Sequence, residues 1–412
     1  MLTVEFTEAV DALIQDANIS DDTLHTRAHQ YLDAFTKSNP AQLSGPSWAE
    51  RIQKIIPHVP AFTTLKLFHA LYHTADELGL VLGKRYVSAT ICACGDRVTP
   101  ATVGGAPEGQ SMNLVQALDD LSSTWAAFLL WPFYAYGADD DLNSAPDLQD
   151  FWGDSTPTES ERMTRQRDRD QQRRWKEQVM ARDNYHCFMC GCYDIEWFLE
   201  RPAPEGADFY DCGVVPIIKR EVLAQDAHGE GVESSRDMDI MFGILKGYFG
   251  VDYTIFSKTE GHQNTLFVNT SACVGFRQFR WCLHPTETPN HYKIKRYGLR
   301  NDRGSRHVTS HVTFADHSQS GVDLPDRGLL RLHAALTGVL WRSGAVAAFD
   351  RLFFRPRRLP GFSRWPSPSG GAFWRSVVEY EGPETCLEVD LDLSVGALRD
   401  SILSRTMDPR EN

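Results

Sequence analysis

Cysteines at metal-ligand spacing stand in the middle of the chain. Cys187 and Cys190 form a Cys-x-x-Cys pair, and Cys192 follows two residues later. A Cys-x-x-Cys pair can supply half of a tetrahedral zinc site. The remaining ligands would have to come from other cysteines, namely Cys212, Cys273 or Cys282. The alternative is a set of small buried thiols in a reducing compartment, and the sequence leaves both interpretations open.

A basic segment precedes these cysteines. Residues 161–182 read ERMTRQRDRDQQRRWKEQVMAR, in which basic residues outnumber acidic ones. The pattern predicts one long polar helix whose apolar side carries Met163, Trp175, Val179 and Met180. Such a run is typical either of a solvated helix face or of a helix that contacts phosphates. The candidates for phosphate contact are Arg165, Arg169, Arg173, Arg174 and Lys176.

The elements that must position these residues follow from periodicity. Apolar residues at helical spacing predict helices over Val4–Ile14, Asp21–Phe35, 61–80 and Asn113–Phe133. A further amphipathic helix is expected over 326–353, with a possible break at Gly344. Short strands are expected at DCGVVPII, within residues 291–316 and at Cys386–Leu393. The expected fold class is therefore α+β.

Changes in composition along the chain predict consecutive domains. Acidic, loop-like residues follow the apolar helices, and a tail rich in Pro, Gly, Ser and Arg follows the last helix. The expected order is a helical N-terminal domain (1–136), an acidic linker (137–160), a module of the basic helix with short strands (161–320), a C-terminal helix packed on that module (321–354) and a flexible or weakly structured tail (355–412).

Bulk composition restricts the classes of protein. The 412 residues predict two or three domains, and the formal net charge of −13 argues against a dedicated, strongly basic nucleic-acid binder. Any nucleic-acid contact must therefore come from a local basic face. The first residues lack a basic leader and no 18-residue apolar run follows, so we expect no signal peptide and no membrane span. The expected location is intracellular, cytoplasmic or nuclear.

The order of several segments resembles the HNH nuclease-domain proteins that are abundant in filamentous fungi, members of the ββα-metal superfamily. The resemblance extends over roughly residues 50–353. Its segments are GKRYVSATICAC, LVQALDDLSSTWAAFLLWPF, RDNYHCFMCGCYD, FRWCLHPTETPNHYKIKRY, VTFADHS and LPDRGLLRLHAALTGVLWRSGAVAAFDRLF. It implies that the range 161–320 holds an HNH-like ββα module, which in that family hydrolyses phosphodiesters with a divalent metal ion.

The chemistry of that fold requires few residues. A histidine at the end of the first strand activates water as a general base, and a divalent cation stabilises the developing charge. An asparagine in the connecting loop orients the site, and a histidine on the following helix completes the metal shell. Basic flanks hold the phosphates.

Carrying the family's pattern onto this chain indicates that both histidines are missing. The first histidine falls on Gly213 if the family's pattern is aligned on Pro216, or on Val214 if it is aligned on Cys212. Neither residue can abstract a proton. The asparagine is Asn264. Four nearby histidines are possible replacements for the base: His186, His228, His262 and His284.

The helix histidine of the family falls on Cys273. A thiolate binds soft or borderline metals and is a poor ligand for magnesium, so zinc is the more probable metal. The expected metal ligands are Cys187, Cys190, Cys212 and Cys273.

These observations favour a catalytically impaired pseudo-nuclease that binds DNA or RNA through the basic helix 161–182. One alternative is an active, metal-dependent endonuclease. Another is a structural or protein-interaction module that does not bind nucleic acid.

Overall fold

A computed structural model gives the fold of the chain. It describes residues 4–38, 45–55, 61–98, 113–138, 159–195, 197, 205–223, 232–252, 254–298 and 309–354. The strand expected at Cys386–Leu393, the tail expected over 355–412 and most of the acidic linker lie outside these residues. The described chain is α+β, as its sequence patterns predict.

Helices make up most of the described chain. The six predicted helices are confirmed, with bounds that differ by a few residues. The helices are α1 (Val4–Gln15), α2 (Asp21–Ser38), α3 (Ser47–Ile55), α4 (Thr64–Leu78), α5 (Val81–Arg97), α6 (Leu114–Trp125), α7 (Trp131–Ala138), α8 (Glu159–Arg182), α9 (Arg220–Leu223), α10 (Val232–Ile244), α11 (Ile255–Thr259), α12 (Thr270–Arg277), α13 (Arg327–Arg342) and α14 (Ala345–Phe354). The break at Gly344 separates α13 from α14, because this glycine has a φ of +80°, which ends a right-handed helix.

Seven short strands form small sheets. They are β1 (Tyr193–Asp194), β2 (Phe209–Tyr210), β3 (Cys212–Pro216), β4 (Thr265–Asn269), β5 (Trp281–Pro285), β6 (His291–Arg296) and β7 (His311–Thr313). β1 and β2 pair in parallel, and β3 and β4 pair antiparallel. β5, β6 and β7 form an antiparallel sheet in that order.

Contacts divide the chain into two compact units that interleave along the sequence, whereas the domains expected from composition are consecutive. Unit 1 takes in the described parts of Met1–Ala135, Val222–Tyr253 and Gly338–Asn412. Unit 2 takes in those of Tyr136–Glu221 and Thr254–Thr337. The described residues within 222–253 join the N-terminal helices, since Tyr248 is fully buried there and donates a hydrogen bond of 2.6 Å to the carbonyl of Leu71.

The predicted C-terminal helical segment contributes to both units. In unit 2, the His333 ring of α13 stacks on Phe276 of α12 with ring centres 3.8 Å apart. Burial lowers the pKa of His333 to about 3, so this ring is neutral and acts as a packing residue. In unit 1, Phe349 of α14 packs edge-on against Trp131 at 5.3 Å. Residues 338–354 therefore belong with the N-terminal helices rather than with the module expected at 161–320.

Arg182, the last residue of α8, is fully buried in unit 2. Its Nε and Nη2 atoms donate to the two carboxylate oxygens of Asp183, each at 2.8 Å. Its Nη1 atom donates to the carbonyls of His262 and Asp323, both at 3.0 Å, and Nη2 also donates to that of Thr265 at 3.1 Å. A buried guanidinium is tolerated only when its donors are satisfied in this way. The side chain thus fixes the end of α8 beside the start of β4.

Replacing Arg182 with methionine should destabilise unit 2. The change leaves the Asp183 carboxylate buried without its counter-charge, which costs about 3–5 kcal/mol when one partner of a buried pair is removed. Urea denaturation followed by tryptophan fluorescence measures the free energy of unfolding. The matched control is Arg173→Met on the same helix, where the side chain is exposed, and it should change that free energy by less than about 0.5 kcal/mol. Equal stabilities of the two variants would contradict this role of Arg182.

Candidate functional site

β3, β4 and α12 form a compact ββα arrangement in unit 2. Gly213 pairs with Val268 across the two strands, and Asn269 at the end of β4 caps α12 by accepting a hydrogen bond of 2.8 Å from the backbone of Ala272. The helix therefore begins directly where the strand ends, which turns it back onto the strand pair. A Cβ atom added at Gly213 would lie 3.6 Å from the Sγ atom of Cys273 on α12. The structure thus brings positions 213 and 273 into contact.

The alternative position, Val214, pairs with Phe267 in the same register. Since successive side chains of a strand point to opposite faces, Val214 points away from the face on which Gly213 meets Cys273. The two alignments that the sequence leaves open, on Gly213 or on Val214, therefore place the side chain on opposite faces of β3.

Asn264 is buried just before β4, and its side chain holds the backbone that leaves β3. Its Oδ1 atom accepts from the Ile218 amide at 2.9 Å, and its Nδ2 atom donates to the Ile218 carbonyl at 2.8 Å and to the Thr259 carbonyl at 3.0 Å. The Asn264 carbonyl also accepts from the Ile217 amide at 2.7 Å. All of these contacts are to backbone, so Asn264 fixes the shape of the site.

The histidines considered as replacement bases make other contacts. His262 lies 2.9 Å from the Oε1 atom of Gln178 and stacks on Trp175 at 5.9 Å. His186 contacts the Asn184 carbonyl at 3.2 Å and the Tyr193 ring at 5.8 Å. His228 lies outside the described residues. In the contacts described for His186 and His262, neither ring faces the pair formed by positions 213 and 273.

Three thiols converge in the turn that follows α8. The Sγ atoms of Cys187, Cys190 and Cys192 all lie within 4.8 Å of one another, and those of Cys190 and Cys192 are 2.8 Å apart. The backbone closes this turn, since Cys187 donates to the Cys192 carbonyl at 2.8 Å and Gly191 donates to the Cys187 carbonyl at 2.7 Å. Gly191 has a φ of +72°, a conformation that glycine adopts without strain. We call these three residues the cysteine turn.

Residues from the strand pair complete the surroundings of the cysteine turn. Cys212, at the start of β3, is buried, and it acts to raise the pKa of the Cys192 thiol. The Nδ2 atom of Asn269 donates to Cys190 at 3.2 Å and to Cys187 at 3.5 Å. N–H donors to sulfur favour the thiolate form that binds metals.

Compared with the expected metal ligands, the structure adds one cysteine and places another apart from the group. Cys192 joins Cys187 and Cys190, and its position two residues after the Cys-x-x-Cys pair was the available signal. Cys212 lies beside this set. Cys273 instead has its Sγ atom 3.4 Å from the Val268 carbonyl and 3.6 Å from the Gly213 carbonyl. It is therefore the least suited of the expected ligands.

The charge state of the thiols follows from these contacts. Hydrogen bonds from Cys187 and Cys192 lower the pKa of Cys190, whereas donating to Cys190 raises the pKa of Cys187. Burial raises the pKa of Cys273 to about 12. Within the cysteine turn these contacts favour the thiolate of Cys190, whereas burial disfavours the thiolate of Cys273.

The donor set fits a zinc ion. Zinc–sulfur bonds of about 2.3 Å place the sulfurs of a tetrahedral site about 3.8 Å apart. The cysteine turn, with sulfurs within 4.8 Å of one another, needs only small side-chain rotations to reach that spacing. Magnesium prefers oxygen ligands and does not suit these sulfurs.

The basic helix α8 is confirmed, and its burial differs along its length. Val179 and Met180 are buried, as the pattern predicts. Met163, expected on the same apolar side, is 71% exposed. The buried side chains described for this helix lie near its C-terminal end instead. Arg173 and Arg174 are exposed and Lys176 is half-buried. Arg165 and Arg169 lie earlier on the same helix.

Comparisons with known proteins give no assignment: no family model matches the chain, and neither the curated proteins nor the solved structures include a significant match. Among the described helices, none is long and apolar enough to cross a membrane.

Metal-free protein should take up Co²⁺ with the near-ultraviolet absorption of thiolate-to-cobalt charge transfer. This band should disappear in the Cys190→Ser, Cys192→Ser double variant, because serine oxygens are poor ligands for this ion. The control is Cys94→Ala, which removes a buried thiol of α5 far along the chain from the cysteine turn. A band of unchanged intensity in the double variant would rule out this metal centre.

Proposed function

We propose that unit 2 is an HNH-type ββα module that has lost its hydrolytic chemistry and acts as a nucleic-acid-binding scaffold. The observation that carries the proposal is the contact between positions 213 and 273. The resemblance places the family histidines at Gly213 or Val214 and at Cys273, and the Sγ atom of Cys273 lies 3.6 Å from the Gly213 carbonyl. The backbone contacts of Asn264 are what a loop-orienting asparagine requires.

Loss of hydrolysis follows from the side chains at this contact. Gly213 has no group that could accept a proton from water. The Cys273 thiol, with its pKa raised to about 12 by burial, carries no charge at pH 7 and offers no hard ligand to magnesium. Within the described residues of unit 2, the group that could hold a metal ion is instead the cysteine turn.

Wild-type protein should not nick supercoiled plasmid with Mg²⁺ or Mn²⁺. The Gly213→His, Cys273→His double variant should nick it, because a Cβ atom at 213 meets only an ordinary contact distance and faces position 273. The assay is gel separation of nicked from supercoiled DNA at equal, high protein concentration.

The matched control is Val214→His with Cys273→His, which adds the same two imidazoles on opposite faces of β3. It should remain inactive. Nicking by the wild type that is abolished by Asn264→Ala would instead support the alternative of an active endonuclease.

The basic helix supports the binding part of the proposal. Arg173 and Arg174 are adjacent and exposed on α8. Arginine binds phosphate with a planar fork of donors, which suits it to a nucleic-acid backbone. Since the chain carries a net charge of −13, attraction to phosphates has to arise at such a local surface.

Reversing the charges of Arg173 and Arg174 to glutamate should weaken binding of single- and double-stranded oligonucleotides. Each lost phosphate contact reduces the magnitude of the negative slope of log K against log salt by about 0.9. Two lost contacts should therefore make the slope shallower by roughly 2. Fluorescence anisotropy between 50 and 200 mM salt, the range over which such binding changes most, measures both quantities.

The control makes the same charge change elsewhere. Lys37→Glu with Lys246→Glu alters two exposed lysines of unit 1 and should leave the slope unchanged. Equal losses in both double variants would show a non-specific charge effect. An absence of binding by the wild type at the lowest salt would leave the structural or protein-interaction module as the function.

A further inference from the structure

Two pairs of histidines line one groove of unit 1. His25 and His29 lie four residues apart on α2, and His69 and His73 lie four residues apart on α4. Residues at this spacing project from the same helix face, which is how helical histidine pairs bind one metal ion. All four residues line the same open groove, together with Tyr72 and Asp76. We call this set the histidine groove.

The rings follow one another across the groove. The ring centres of His25 and His29 are 4.3 Å apart, and those of His29 and His69, on facing helices, are 6.4 Å apart. With metal–nitrogen bonds of about 2.1 Å, two imidazoles on one tetrahedral ion have ring centres about 5 Å apart. The observed separations lie on either side of this value, so the side chains would have to rotate for the three rings to share one ion.

Tyr72 forms the floor of the groove. It stacks on His29 at 5.2 Å and meets His25 edge-on at 4.7 Å, while its hydroxyl contacts Ser88 at 2.9 Å. This aromatic floor positions the two imidazoles of α2 from beneath. His69 and His73 are exposed, so the opposite side is accessible from solvent.

The His25 ring keeps one nitrogen without a protein partner. Its Nδ1 atom is buried and has no hydrogen-bond partner among the described residues. Burial, followed by the neighbouring charge of His29, lowers the pKa of both His25 and His69. Lys84, Asp76 and Asp22 also act electrostatically on His25, and Asp76 pairs with Lys84 at 2.9 Å.

We infer that the histidine groove is a binding site for a divalent transition-metal ion of the zinc and nickel class. Its ligands are His25, His29 and His69, and His73 or water takes the fourth position. Imidazole nitrogen suits these borderline ions and does not suit magnesium or calcium. Packing alone does not explain the groove, because two of its four histidines are exposed. The inference concerns unit 1 and does not depend on the function proposed for unit 2.

The test uses the full chain and Ni²⁺. Protein carrying the Cys190→Ser and Cys192→Ser changes is first stripped of metal with a chelator, and Ni²⁺ binding is then measured by equilibrium dialysis with metal analysis. His69→Gln and His29→Gln should each weaken Ni²⁺ binding by at least about tenfold, since even the loss of an outer-shell partner costs 10–100-fold. X-ray absorption of the bound nickel should show imidazole scattering and no sulfur ligand.

The control is His317→Gln, which removes an exposed histidine of unit 2 and should not change Ni²⁺ binding. His69 is exposed, so its replacement should leave the thermal unfolding midpoint unaltered, and a loss of binding then reports a lost ligand. Equal Ni²⁺ affinity in wild type and His69→Gln would overturn the inference. Nickel bound only through sulfur would overturn it as well, because it would place the ion at the cysteine turn.

Discussion

The arrangement of unit 2 depends on the buried guanidinium of Arg182. A charge that is fully removed from water needs a counter-charge and an acceptor for its donors, and here those acceptors come from three separate parts of the chain. The carbonyls of His262 and Thr265 bracket Asn264 at the entry to β4. Satisfying one side chain therefore positions both the end of the basic helix and the strand that pairs with β3.

A second side chain connects the cysteine turn with the degenerate ββα site. Asn269 caps α12 through its oxygen and donates to the sulfurs of Cys190 and Cys187 through its nitrogen. The helix that carries Cys273 is thus bonded to the thiols at its first turn. An ion held by those thiols would stabilise the same helix that carries a metal ligand in the HNH family. Under the function proposed for unit 2, a structural soft-metal site takes the place of a catalytic hard-metal site within one small arrangement.

Local sequence patterns were enough to predict much of the fold. The features that depend on contacts between residues distant in sequence could not be predicted. Helical periodicity located the main helices, and Gly344 marked the break between α13 and α14, because both features depend on residues near in sequence. The grouping of Tyr248 with the N-terminal helices depends on burial against Leu71, which no local pattern reports. The histidine groove was missed for the same reason: each pair has metal-ligand spacing, but its significance appears only when α2 and α4 face each other.

The charges of the chain act at long range and at contact, and both contributions enter a measured affinity for nucleic acid. The net charge of −13 repels a polyanion at long range, whereas Arg173 and Arg174 attract phosphates only at contact. Salt screens the long-range repulsion within about 10 Å at 0.1 M ionic strength, and it weakens the contacts as well. Absolute affinity therefore combines two opposing terms. The difference between the two double charge-reversal variants cancels the long-range term, because both change the net charge equally, and isolates the contribution of the basic helix.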